Sequence, residues 1–271
     1  MNATAEQAAG MVTVPRPERT KEDYFDLDAA LAAFRDGKPF TFPPFEIARS
    51  VINGKAYFFC CNFEKDAVQR RHRLGRFFET AELEAVAPHV PAGATVLDVG
   101  ANVGNHAIFF ADQCGAARVI LIEPNPLALA PLIGNIELNR MADKLDTGFL
   151  GIGLSDRAHG GLGMRRHVRN LGGTKMEEGT GDLEVRAGDD LFPDTDFDLI
   201  KIDVEGMEMK VLAGLDRTIA RCRPALMIEV DNEHLPAFQD WCRARTYREA
   251  GSWRRNPRNE TFLILSEGDP R

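Results

Sequence analysis

No run of the sequence is apolar for the roughly 20 residues that a membrane-spanning helix requires, so that class of protein is excluded. Residues Met1 to Thr20 also lack the charged start and apolar stretch of a secretory signal. Cysteine is sparse: Cys60, Cys61, Cys114, Cys222 and Cys242 are odd in number and form no C-x-x-C pair. That pattern argues against a disulfide framework or a structural zinc site and fits a cytoplasmic setting. An excess of positive charge is missing too, since 33 Lys and Arg against 41 Asp and Glu leave a net charge of −8. Repulsion then opposes unassisted binding to nucleic acid or to an anionic membrane.

What is present is enough apolar material, 44% of 271 residues, for a substantial core. Residues 1–20 are expected to be a loose leader and residues 21–79 an N-terminal extension. The extension holds a short helical pattern at Leu27 to Phe34 and two β-prone runs, Ile47 to Ile52 and Lys55 to Phe59, joined by Asn53-Gly54 as in a hairpin. Residues 80–271 alternate apolar strands with amphipathic helices, the mark of a mostly parallel sheet covered on both faces. Five strands are predicted at Thr95 to Val99, Arg118 to Glu123, Thr147 to Leu154, Asp198 to Asp203 and Ala225 to Val230. Tyr247 to Trp253 and Thr261 to Leu265 would close the sheet at seven. Asp156 to Asp190 breaks the rhythm and reads as an insertion or hairpin. The fold class is therefore α/β, doubly wound, with a helix and β-hairpin added in front.

The stretch Val96-Leu97-Asp98-Val99-Gly100-Ala101-Asn102-Val103-Gly104-Asn105-His106 is a buried strand, a glycine turn and a helix start. Such a turn lies at the carboxyl end of the first strand, where open α/β sheets bind ligands. Gly100 and Gly104 allow close backbone approach, and amides at the helix start suit a carboxylate or phosphate. The next strand, Val119-Ile120-Leu121-Ile122-Glu123, ends in an acid about twenty residues further on, the position that binds ribose hydroxyls in dinucleotide folds. Pro124 is next, then Asn125 and Pro126 as a helix cap and first-turn proline. Asn102 stands where G-x-G-x-x-G has its second glycine, which favours a nucleoside with an amino-acid tail over a pyrophosphate.

These residues, followed by Ile122-Glu123-Pro124-Asn125-Pro126 and by Leu199-Ile200-Lys201-Ile202-Asp203-Val204-Glu205-Gly206-Met207-Glu208, resemble the FkbM family of methyltransferases. The resemblance runs from about Gly75-Arg76-Phe77-Phe78-Glu79 to Glu229, with Gly153-Leu154-Ser155-Asp156 between. It implies a class I methyltransferase sheet, S-adenosylmethionine as donor, and O-methylation of a hydroxyl on a sugar, glycan or natural product. By the same resemblance Asp98, Gly100, Asn102, Gly104 and Asn105 surround the methionine portion. Glu123 takes the ribose and Ser155 with Asp156 the adenine edge, while Ala101, His106, Pro124, Asn125 and Asp203 are counted among the cofactor-binding residues without a set portion.

Asp203 and Glu205 end a strand at the edge where the glycine turn opens, so both face one crevice. Methyl transfer to oxygen needs a hydroxyl held in line and a group to accept its proton. Asp203 is the leading candidate, with Glu205, Glu229 and the imidazole of His106 beside it. Alternation would put Lys201, Asp203 and Glu205 on one side of an extended strand. Glu229 and Asp231 end the following strand and could join Asp203 around a hard cation, although no metal is assigned. Two basic runs, Arg70-Arg71-His72-Arg73 with Arg76 and Arg165-Arg166-His167 with Arg169, read as solvated faces or as a grip on an anionic acceptor. Tyr57, Phe58, Phe59, Phe77 and Phe78 read mainly as core. Helix-end electrostatics account for Glu79, although the family resemblance hints at a site role.

Two other classes share this fold: a nicotinamide-dependent oxidoreductase, and a noncatalytic nucleoside-binding protein. A nucleic-acid base methylase is disfavoured because the strand ending at Asp203 carries no D/N-P-P-aromatic motif.

Overall fold

The computed structural model describes residues 27–41, 45–165, 175–179, 181 and 183–267. The leader, residues 1–20, lies outside them, and so do the side chains of the basic run Arg165, Arg166, His167 and Arg169. The chain opens with α1 (Leu27–Arg35), then the hairpin β1 (Glu46–Ile52) and β2 (Lys55–Cys61), and the short helices α2 (Ala67–Arg73) and α3 (Thr80–Val86). Next come β3 (Thr95–Val99), α4 (Asn105–Asp112), β4 (Arg118–Ile122), α5 (Pro126–Leu138) and β5 (Leu145–Asp146). A smaller group holds β6 (Ile152–Ser155), β7 (His159–Arg165), β8 (Lys175–Glu178), β9 (Leu183–Ala187) and α6 (Gly188–Leu191). The chain then returns through β10 (Leu199–Ile202), α7 (Glu208–Gly214), α8 (Asp216–Cys222), β11 (Ala225–Asp231), α9 (Leu235–Arg245), β12 (Tyr247–Trp253) and β13 (Asn259–Ser266). No helix of the described residues is long and apolar enough to cross a membrane.

The main sheet has seven strands in the order β12-β13-β11-β10-β3-β4-β5. All pairings from β11 to β5 are parallel, and β13 is antiparallel to both of its neighbours. From β3 the chain builds outward through β4 and β5, then crosses back to place β10 on the other side of β3. The point of reversal lies between β3 and β10, where ligands bind in such sheets.

Strand alternation separates two cores. Val96, Val119, Leu121, Leu199 and Met227 face one layer with α4 and α5. Leu97, Val99, Ile120, Ile122, Ile200, Ile202 and Ile228 face the other with α7 and α8. The hairpin covers the first layer through Tyr57 and Phe59, both fully buried. Asn135 holds it there: its Oδ1 accepts the Cys60 amide at 2.6 Å and its Nδ2 donates to the Val103 carbonyl at 2.7 Å. Asn53 and Gly54 both have positive φ, 51° and 78°, as a two-residue hairpin turn of this twist demands.

The expected strand Thr147 to Leu154 is not one strand. Only Leu145–Asp146 joins the edge of the main sheet, while β6 leaves it to pair in parallel with β9 in a separate sheet of order β6-β9-β7-β8. The break is local chemistry: Asp146 Oδ1 accepts the Gly148 amide at 2.9 Å, and Gly151 takes φ +91°.

Candidate active site

Gly100 follows β3 at φ +81°, and a Cβ there would lie 1.8 Å from the Asp203 carbonyl oxygen. The glycine is thus required by the neighbouring strand end, and it also lines the two cavities beside the turn. Lys201 stitches the same place. Its Nζ donates to the Gly100 carbonyl at 2.6 Å and pairs with Asp98 at 3.1 Å, both side chains being buried. Asp98 therefore lies beneath the turn and lines no cavity found beside it. Gly104, at φ +84°, makes room for Leu132 of α5, whose Cδ1 would lie 2.7 Å from a Cβ at this position, and it also stays off the cavity walls.

Asn102 has the left-handed φ of 50°. Its amide donates to Glu123 Oε2 at 2.6 Å, and its own Oδ1 is buried without a partner. The other Glu123 oxygen accepts the Asn125 amide at 2.7 Å. Burial raises the Glu123 carboxyl to about 7, against the pull of the Asn125 and Asn102 amides. Asn125 caps α5 by accepting the Leu127 amide at 3.1 Å, the structural role expected of it. Gly100, Asn102, Glu123, Pro124, Asn125 and Asp203 line one cavity, closed on the far side by Gly153, Leu154 and Met176. Ser155 and Asp156 do not line it; Ser155 is buried and donates to the exposed Asp156 at 3.0 Å. The departure of β6 from the main sheet brings the two preceding residues to the wall instead.

A second cavity of about 220 Å³ adjoins the first, lined by Ala101, Asn105, His106, Phe78, Glu79, Arg255 and Asn259 among others. The side chain of Asn105 braces the wall: it accepts the Phe78 amide at 2.8 Å, returns a bond to the Phe78 carbonyl at 3.1 Å, and meets buried His72 at 3.0 Å. Asp203, Glu205 and Glu229 bring carboxylate oxygens within 4.8 Å of one another on the floor. This is the expected cluster with one change, Glu205 in place of Asp231. β10 ends at Ile202, and Glu205 with φ +52° followed by Gly206 with φ +100° turns the chain back over the site. Asp231 lines a third cavity beyond, with Asn232, Glu233 and Arg258. The trio is of the kind that holds a hard cation.

Crowded carboxylates resist ionisation. Burial raises Asp203, with Lys201 opposing and Glu79 adding to the rise. Burial also raises Glu229, together with the charges of Asp203 and Glu205, and Asn259 donates to it. Glu79 differs. Burial alone would raise it, but His106, 3.0 Å away, and the nearby Arg255 and Lys201 hold it below the usual carboxylate range. It stands at φ +57°, a left-handed conformation that a non-glycine residue adopts at a cost of about 1 to 3 kcal/mol. Arg255 grips Glu82 and reaches Glu79 at 3.8 Å. Sequence reasoning explained Glu79 by its helix-end position, with a site role hinted at only by the family resemblance, and missed Arg255, Arg258, Asn259 and Met176. No local pattern marks them, because the β12–β13 turn and the second sheet bring them in from far along the chain.

Sheet order and the switch-point crevice are those of the class I methyltransferase fold. Residues 98–256 match the family described as "Methyltransferase FkbM domain". The chain belongs to this FkbM methyltransferase family. Among curated proteins it is similar to the AMB antimetabolite synthetase AmbE of Pseudomonas aeruginosa, 30% identical over 190 aligned positions covering 53% of this chain and 9% of that one. The chain thus spans about a tenth of that relative's length. Similar solved structures include the methyltransferase FkbM from Methylobacillus flagellatus, 20% identical with a TM-score of 0.45 over 63% of this chain and 43% of that one. Another is TrmK of M. capricolum with S-adenosylhomocysteine, 11% identical with a TM-score of 0.46 over 72% and 70%.

Proposed function

We propose that the chain binds S-adenosylmethionine in the first cavity and methylates a hydroxyl of a small sugar-like, glycan or natural-product acceptor seated in the second. The observation that carries this reading is that the two cavities share four residues, Gly100, Asn102, Asp203 and Glu205, so that donor and acceptor sites open onto one another. The residues present fit the donor. Glu123 offers an acceptor to ribose hydroxyls, and the orphaned Asn102 Oδ1 offers one to an ammonium donor. Gly153, Leu154 and Met176 supply an apolar wall for the adenine.

When bound, the donor supplies an electrophilic methyl group. The chain's own residues do the rest: they place the acceptor hydroxyl against the shared wall and take its proton. Asp203 lies on that wall, and the Glu79–His106 pair lies across the second cavity, within the same enclosure. Burial and mutual repulsion raise the Asp203 and Glu229 carboxyls, so the floor holds a proton more tightly than free carboxylates do. The acidic floor disfavours nucleic acid as acceptor, and the name of the Pseudomonas aeruginosa relative, an antimetabolite synthetase, is in keeping with a biosynthetic small molecule.

Calorimetry with S-adenosylhomocysteine and with NAD tests the donor. Binding of the first and not of the second supports the reading, and the reverse transfers the chain to the oxidoreductase class. Labelled-methyl transfer to a panel of hydroxylated acceptors tests the reaction. In that assay Asp203→Asn is expected to slow turnover by about a hundredfold while changing cofactor affinity by less than about threefold. Wild-type turnover in this variant would remove Asp203 from the machinery.

A further inference from the structure

The basic run at the end of the N-terminal extension is sorted by the fold into two kinds of residue. His72 is fully buried and stacked on Phe59, with ring centroids 3.8 Å apart. Arg73 pairs with Glu46 at 2.6 Å. Arg70 and Arg71 are exposed, and neither side chain has an ion-pair partner among the described residues. Both belong to α2, whose first residues, Ala67 and Val68, line the second cavity. They follow Ala67 by three and four positions, on its face of the helix. Helical side chains lean toward the N-terminus and cover the preceding turn, which carries these two guanidinium groups toward the cavity lip.

Arg258 stands at the junction of the second and third cavities, likewise exposed and without an ion pair among the described residues. The other cations of the region are neutralised: Lys201 by Asp98, Arg255 by Glu82 and Arg254 by Glu260. Below the lip lies the carboxylate floor of Asp203, Glu205 and Glu229. The cleft is therefore graded along its depth, lined by carboxyl groups inside and cationic at the rim. An anionic group finds its counter-charge at the rim and none free on the floor.

We propose that the acceptor is a head-and-tail molecule, its hydroxyl-bearing head inside the second cavity and its phosphate or carboxylate tail gripped at the lip by Arg70, Arg71 and Arg258. This rests on the reading of the second cavity as the acceptor site. Guanidinium groups suit either oxyanion through paired N–H donors. One helical turn, about 5.4 Å, separates Ala67 from the arginines, so the tail lies only a ring or two from the methylated atom.

The test is calorimetric titration of the full chain, saturated with S-adenosylhomocysteine, by pyrophosphate and separately by tricarballylate. Saturable binding is expected, weakened at least about tenfold in the combined variant R70A/R71A/R258A, as the loss of charge-assisted bonds requires. It should be unchanged in Arg248→Ala, an exposed arginine at the opposite end of the strands near Ala225. The tighter of the two anions identifies the tail as phosphate or carboxylate. Absence of saturable binding for both, or an equal loss in Arg248→Ala, overturns the proposal. Wild-type chain that binds S-adenosylhomocysteine but neither anion loses the tail assignment alone, whereas chain that fails to bind S-adenosylhomocysteine loses the donor reading and this inference with it.

Discussion

Both oxygens of Glu123 accept backbone amides, from Asn102 and Asn125, and the carboxylate still faces the first cavity. Its ionised form is the better acceptor for ribose hydroxyls, yet burial holds the empty site at about 7. Affinity for S-adenosylhomocysteine should therefore rise about tenfold between about pH 6 and about pH 8, with proton release on binding. Glu123→Gln should weaken binding about tenfold or more and flatten that rise; an unchanged slope by calorimetry removes Glu123 from the ribose site. The same shift acts on folding. A carboxyl whose folded value is raised from 4.5 to about 7 contributes stability below the lower value and loses it as pH climbs through the upper one. The empty wild-type protein should thus lose more stability than Glu123→Gln across that window. At Gly100 the issue is steric. Gly100→Ala sets a methyl against the Asp203 carbonyl in a left-handed conformation, and a loss of about 2 to 4 kcal/mol is expected in urea unfolding.

Among the elements, those governed by short-range rules were legible in the sequence. Asn53-Gly54 specifies the β1–β2 turn, Asn125-Pro126 specifies the start of α5, and short, mainly apolar runs mark β3, β4 and β10 as strands covered on both faces, with the buried Asp98–Lys201 pair as the polar exception. Thr147 to Leu154 was not, because its β-prone residues hide three glycines and follow an aspartate whose side chain closes a turn, so β6 goes to another sheet. Ser155 and Asp156 missed the donor cavity for that reason. Glu79 was obscured by the opposite effect: its helix-start position suffices as an explanation until the fold places His106 beside it. The hairpin's attachment offers a direct check at this scale. Asn135→Ala leaves the Cys60 amide and Val103 carbonyl without their partner, and a loss of about 3 kcal/mol is expected. A change below about 0.5 kcal/mol would show that the hairpin is held by apolar contact alone.

For the molecule as a whole, the order of the strands matters more than any single residue. It places the β3 turn, the end of β4 and the end of β10 on one edge, and so joins a site for a nucleoside to a site for an acceptor. Neither cavity could be drawn from the sequence, because Met176 comes from the second sheet and Arg255 and Asn259 from the last antiparallel pair. A ligand that binds this crevice only when it is folded must stabilise the protein, by about 2.7 kcal/mol at a hundredfold excess over its dissociation constant. S-adenosylhomocysteine should raise the melting temperature accordingly, and NAD should leave it unchanged. The most direct measurement is a crystal structure of the chain with S-adenosylhomocysteine. The ribose hydroxyls are predicted on the Glu123 carboxylate, with the amino-acid end beside Asn102 and the sulfur facing Asp203; a nucleoside bound elsewhere, with that crevice vacant, would contradict the account.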